Sequence, residues 1–260
     1  MQSKDFRKHF WMLQKKLKSG ENFAFSRYSD GEMIIMQNKH LKLGDEKTTV
    51  DGANAGIGYD KSDHKEFDPK KHSHFRDELL KAYQHKQDNY FVGLSCPCCV
   101  GKEQNKWMKD VRGGDDKHLT WANLFVNSNY PYFLNHIVPL LKNKKVYIVC
   151  NENADLSELP FKVEKDWRIG SNAMIEDADL IDGIDGFINT NKVKNAVFLF
   201  AGASLTNLLI GRLFPTHPDN TYLDIGTTLN PHMKLPIARN YLKGYFLKSG
   251  NTEIYRRCVW

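Results

Sequence analysis

The sequence predicts an α/β fold, a mostly parallel sheet with helices on both faces. Two observations predict it. Short apolar runs with β-branched or aromatic residues recur at 22–26 (NFAFS), 90–95 (YFVGLS), 145–150 (KVYIVC), 196–201 (AVFLFA) and 221–225 (TYLDI). Helical patterns fall between them, at about 30–38, 70–86, 129–141, 171–181 and 203–213. Strands that alternate with helices pair in parallel and are covered on both faces.

Each element has its own reason. The first 19 residues, MQSKDFRKHFWMLQKKLKS, put Phe6, Phe10, Leu13 and Leu17 on one helical face. They carry too much charge for a signal peptide, and no run approaches the roughly 18 apolar residues of a membrane span, so the cytosol is the expected compartment. Asp68 before Pro69 reads as an N-cap with proline at the first helical position. The aromatics of NYPYFLNHIVPLL (129–141) read as core packing. His72 and His74 stand two apart and make poor joint metal ligands on a helix. Residues 39–68 are polar and Gly-rich, and residues 100–121 contain RGGDD and two tryptophans. Both read as irregular insertions flanking a site. No composition shift marks a boundary, so one domain spans 1–260.

Composition is ordinary for a globular chain, with 41% hydrophobic and 26% charged residues. The net charge of +6, from 37 Lys and Arg against 31 Asp and Glu, suits a polyanionic partner. Lys61, Lys65, Lys70, Lys71 and Arg112 lie in segments that can reach phosphates. Five cysteines without a signal peptide argue against a disulfide framework. Cys96, Cys98 and Cys99 crowd into SCPCCVG, which offers a single Cys-x-x-Cys spacing and no second ligand pair. A tight turn of small residues is the simpler reading than zinc.

Ligands of parallel sheets bind outside the carboxyl ends of the strands, and three strand ends carry chemistry. In FAGAS, Gly202 and Ala203 turn into a helix whose free N–H groups attract phosphate, with Ser204 as cap or donor. In YLDIGTTLNPHM, Asp224 closes a strand and Gly226 opens a turn. In SRYSDGE, Asp30 and Glu32 can converge on Mg²⁺ or Mn²⁺, with Arg27 pairing Asp30 or gripping a phosphate. Alternatively, Asp30 caps a helix over 31–38 and Glu32 sits in its first turn.

FSRYSDGE resembles the R-[FY]-G-D-G-E signature of the GT-D type glycosyltransferases, with Ser29 in place of the usual glycine. FAGAS and YLDIGTTLNPHM resemble that class's AG turn and DIG segment, and the three elements keep their order over residues 23–233. The resemblance implies a Rossmann-like GT-D fold and transfer of a sugar from a nucleotide sugar such as a UDP-sugar. It implies a metal held by Asp30 and Glu32. It implies a donor held by Arg27, Ser29, Gly31, Gly202, Ala203, Ser204, Asp224 and Gly226. A base to deprotonate the acceptor falls among Asp51, Asp60, Asp63 and His64, with Asp51 named as catalytic. The short chain is similar to stand-alone phage members, which implies a 5-hydroxymethylcytosine-type base of duplex DNA as acceptor, in host cytoplasm. Lys61, Lys70, Lys71 and Arg112 then contact DNA phosphates. Alternatives are a transferase building a surface or protein-linked glycan, and a nucleotide- or nucleic-acid-binding module without catalysis.

Overall fold

A computed structural model describes residues 6–44, 48–54 and 64–249. Seven strands form the main sheet: β1 (Ala24–Tyr28), β6 (Tyr90–Leu94), β7 (Leu119–Trp121), β8 (Val146–Asn151), β9 (Val163–Ile169), β10 (Val197–Phe200) and β11 (Thr221–Asp224). Their order is β7-β6-β1-β11-β10-β8-β9, and every pairing is parallel. The fold class read from the sequence is therefore the one observed.

Successive residues of a strand point to opposite faces, and β1 shows both. Phe25 meets Phe125 on one face, while Ser26 bonds Asn207 and Tyr28 packs on Tyr83 on the other. The Phe25 face is covered by α1 (Phe6–Ser19), through Phe10 against Phe125, and by α6 (Tyr130–His136), through Phe133. The four residues predicted for the buried stripe of α1 are its buried residues. The Ser26 face carries α3 (Ser73–Gln84) and α10 (Ser204–Thr216), which pack on each other. Strand connections that return in parallel are right-handed, and β1→β6 and β10→β11 move the same way across the sheet, so both helices share that face.

Several expectations change. The segment 39–68 is not irregular where described: β2 (Leu41–Leu43), β3 (Thr48–Val50), β4 (Ala53–Asn54) and β5 (Lys65–Phe67) form an antiparallel sheet of order β4-β3-β2-β5. Segment 100–121 contains α5 (Lys102–Val111) and β7, with Tyr83 donating to the Met108 carbonyl at 2.6 Å. Asp68 does not cap the predicted helix. Its carboxylate accepts from Lys70 N–H at 2.9 Å within a preceding turn, and α3 begins at Ser73. The pattern at 129–141 divides into α6 and α7 (Val138–Leu141), with Tyr130 and Phe133 buried as expected and Tyr132, against expectation, exposed. No helix among the described residues is long and apolar enough to cross a membrane.

Candidate active site

The carboxyl ends of β1, β10 and β11 lie side by side, and their sequels converge. After β1, Ser29 caps α2 (Asp30–Met36), so the cap falls one residue earlier than predicted. Ser29 N–H donates to Glu32 Oε2 at 3.0 Å, as in a capping box. The other oxygen of Glu32 accepts from the Ser204 hydroxyl at 2.5 Å and lies 3.3 Å from the Lys65 ammonium. Lys65 also donates to Ser204 Oγ at 2.5 Å. Three chain segments thus meet at one buried carboxylate. Burial alone pushes the Glu32 carboxyl up, but the Lys65 ammonium, the Ser204 hydroxyl and the Ser29 N–H outweigh it and hold it below the usual range.

Lys65 comes from the inserted sheet. Its strand is anchored where Glu66 N–H donates to Asn172 Oδ1 at 3.0 Å and His64 carbonyl accepts from Asn172 N–H at 3.2 Å. Sequence reasoning counted Lys65 among phosphate contacts and missed this pairing, because nothing local links residue 65 to 32.

At the end of β11, Asp224 is buried and accepts from Arg27 N–H at 3.1 Å and Gly226 N–H at 3.1 Å. Burial raises its carboxyl to about 6, against the pull of Arg27 and with a push from Glu32. The Arg27 guanidinium stands 4.0 Å from Asp224 and lies over Gly226, where a Cβ would come within 3.1 Å of Nη2. Gly226 has φ +49, so the position suits glycine on both counts. Arg27 Nε and Nη1 are buried and make no hydrogen bond among the described residues.

The turn after β10 is built as expected in position and differently in detail. Gly202 N–H donates to Thr206 Oγ1 at 3.0 Å, and a Cβ there would come within 3.0 Å of the Ile169 side chain. Ala203 holds φ +47 and ψ −132, a conformation that costs a non-glycine residue. Asn207, one turn into α10, donates to Ser26 Oγ at 3.0 Å and Arg27 carbonyl at 2.8 Å, fixing the end of β1 against the helix.

Two solved structures share this architecture. One is described as the selenomethionine-substituted domain of unknown function 1792, the other as that highly conserved domain with a distinct glycosyltransferase fold. Each is 14% identical in sequence, with 96% of this chain and 88% of the neighbour covered, at TM-scores of 0.56 and 0.55. This chain has a glycosyltransferase fold. No family model and no curated protein matches its sequence.

In that glycosyltransferase fold, the predicted donor residues Arg27, Ser29, Gly31, Gly202, Ala203, Ser204, Asp224 and Gly226 all lie at the adjoining ends of β1, β10 and β11. Asp30 is half-buried, and its Oδ1 accepts from Gly31 N–H at 3.0 Å. A hard divalent cation needs only one or two carboxylates beside phosphate oxygens. Asp30 fits that requirement, whereas Glu32 can join only by exchanging the Lys65 ammonium.

The acceptor residues are not brought to this site together. Arg112 is buried and donates to the Tyr83 and His85 carbonyls beside Asp116, so the expectation that it meets an acceptor is corrected. Lys70 and Lys71 are exposed in the turn before α3, and Lys71 stands 3.9 Å from Asp68. Asp51 is exposed between β3 and β4, where its carboxylate accepts from His40 N–H at 2.8 Å. His64 is exposed just before β5, and Lys61, Asp60 and Asp63 lie outside the described residues.

Proposed function

We propose that the protein is a glycosyltransferase that moves a sugar from a UDP-sugar to a hydroxyl acceptor, and that this acceptor is a 5-hydroxymethylcytosine-type base in phage DNA. The observation that carries the donor reading is Arg27. Two of its guanidinium nitrogens, Nε and Nη1, are buried with no hydrogen bond among the described residues and only a 4.0 Å approach to Asp224, and a nucleotide diphosphate supplies paired oxygens that a guanidinium grips bidentately. The glycine at 226 lets that group lie against the backbone, and the start of α10 is tied to the same place through Asn207, which donates to the Arg27 carbonyl. As the glycosidic bond breaks, negative charge grows on the departing diphosphate, and these fixed donors stabilise it where it develops. A Mg²⁺ or Mn²⁺ ion held by Asp30 would supply further charge neutralisation there. Glu32, paired with Lys65 and Ser204, holds the three segments in register.

The DNA reading rests on the basic balance and the exposed Lys70 and Lys71 beside the inserted sheet. An enzyme acting on a base in a duplex must draw it out of the stack while gripping flanking phosphates. The test is mass spectrometry of hydroxymethylated duplex, plain cytosine duplex and saccharides incubated with UDP-sugars across a salt series. We expect product on the hydroxymethylated duplex alone, with duplex binding falling on a log–log slope of about −3 to −6. Product on a saccharide and on no duplex would replace this acceptor with a glycan. Nucleotide binding without transfer or hydrolysis of any UDP-sugar would leave only a binding module.

A further inference from the structure

At the carboxyl end of β6, three thiols gather in a way that the single Cys-x-x-Cys spacing does not announce. The strand stops at Leu94, and Pro97 opens the one-turn helix α4 (Pro97–Val100). Cys99 and Val100 N–H both donate to the Cys96 carbonyl, at 2.9 and 3.2 Å, which folds Cys99 back beside Cys96. Cys98 turns the same way, and its sulfur contacts that of Cys96. All three Sγ atoms lie within 4.8 Å of one another. Among the described residues they are the one group of three or more metal-ligating side chains so placed.

We propose that Cys96, Cys98 and Cys99 bind one zinc ion through three thiolates. Zinc–sulfur bonds of about 2.3 Å in tetrahedral array hold their sulfurs about 3.8 Å apart. The three sulfurs already lie within 4.8 Å of one another, with Cys96 buried and Cys98 and Cys99 at the surface, where a metal can reach them. Soft thiolates select zinc over the hard cations that carboxylates hold. Asn123, itself buried, donates from Nδ2 to Cys99 Sγ at 3.3 Å. Such outer donors orient the sulfur ligands of metal sites. Three protein ligands would leave a fourth position for water or another ligand, as in open zinc sites.

The site has a consequence for the neighbouring turn. Ser95, one residue before the first thiol, donates to the Tyr28 carbonyl at 3.4 Å, and its hydroxyl lies within hydrogen-bond distance of Ser29 Oγ at 3.2 Å. Asn105 of α5 donates to the Ser95 carbonyl at 2.8 Å. Zinc bound to the three thiols therefore locks the connection that buttresses the turn carrying Asp30. The proposal is independent of the sugar-transfer reading, since it requires no donor.

The test uses the full chain, reduced and freed of metal. Cadmium titration, read by thiolate-to-cadmium charge-transfer absorption, should saturate at one ion per chain with the intensity of three thiolates. Zinc should displace cadmium, and it should raise the thermal midpoint of the wild type. Cys98→Ser and Cys99→Ser should bind more weakly with two-thirds of the absorption, and zinc should not raise their midpoints. Cys150→Ala should behave as wild type, since Cys150 is buried in β8 with its thiol pushed up to about 11. Cys96→Ser removes a buried group, so the exposed Cys98 variant carries the test if it fails to fold. Absence of the absorption in protein with all thiols confirmed reduced would overturn the site. So would equal absorption in the variants, or zinc stabilisation that survives Cys98→Ser.

Discussion

Glu32 and Asp224 are buried within each other's field, and they titrate in opposite directions. Glu32 is held below its usual range in the folded chain, so its contribution is present above about pH 4.5 and is lost as pH falls further. Asp224 is raised from 3.8 to about 6, so the folded state holds its proton more tightly than the unfolded chain. Stability then declines as pH rises between those values, by at most about 3 kcal/mol. Urea unfolding of the wild type and Glu32→Gln across pH 3 to 8 checks both signs. The variant should lose the acid limb below about pH 4.5 and keep a smaller decline above it, since burial still raises Asp224 but the push from Glu32 is gone. Glu32→Gln should also cost about 3 kcal/mol, since it leaves the Lys65 ammonium without its partner in a buried setting. Asp30→Asn, at a half-buried position, should cost less than about 1 kcal/mol and act on nucleotide-diphosphate affinity instead. Calorimetric titration separates the two, and loss of affinity in neither would remove Asp30 from the donor site. SRYSDGE placed an acid pair at a strand end, where the structure has it. The partners of Glu32 were not legible, because Lys65 and Ser204 approach it from segments 33 and 172 residues away.

Between elements, α10 and α3 approach closely at Gly211. A Cβ at Gly211 would stand 2.4 Å from Ala82 Cβ and 3.2 Å from its Cα, and neither atom can swing aside. Gly211→Ala should therefore destabilise by about 1–2 kcal/mol despite alanine's higher helix propensity, measured as a lower urea midpoint at unchanged slope. At the start of the same helix the sign reverses. Ala203 occupies a positive-φ conformation, so Ala203→Gly should relieve strain and raise the thermal midpoint by a few degrees. A fall would mean that the alanine conformation is not strained. Helices and strands with strong apolar runs were readable from sequence, and α1 to its individual buried residues. β9 was not, since VEKDWRI carries four charges on an outer strand whose exposed side has no need of apolar residues. α5 escaped for the same reason, burying only Asn105 and Met108 of its ten residues.

Across the whole molecule, burial is uneven. β1, β10 and β11 are almost wholly buried, whereas β3 is half-buried and β4 exposed. Native-state hydrogen exchange should find the central strands opening only with global unfolding and the four-stranded sheet opening well below it. Equal protection in both sheets would contradict this. Such local opening would withdraw Lys65 from Glu32, so exchange in β5 should slow when a nucleotide diphosphate binds. Strand order was the part of the architecture least available to sequence, since periodicity gives elements and not neighbours. That order has a consequence for synthesis. β1 lies against β11, so residues 24–25 pair with residues 222–223. A growing polypeptide makes Arg27 early and cannot give it Asp224 or Gly226 until nearly two hundred further residues have been joined. Until then the β1 edge that β11 will cover stays open. Ribosome-bound intermediates should therefore depend on a chaperone to shield that edge, and the proposed donor site should be among the last features the newborn chain acquires.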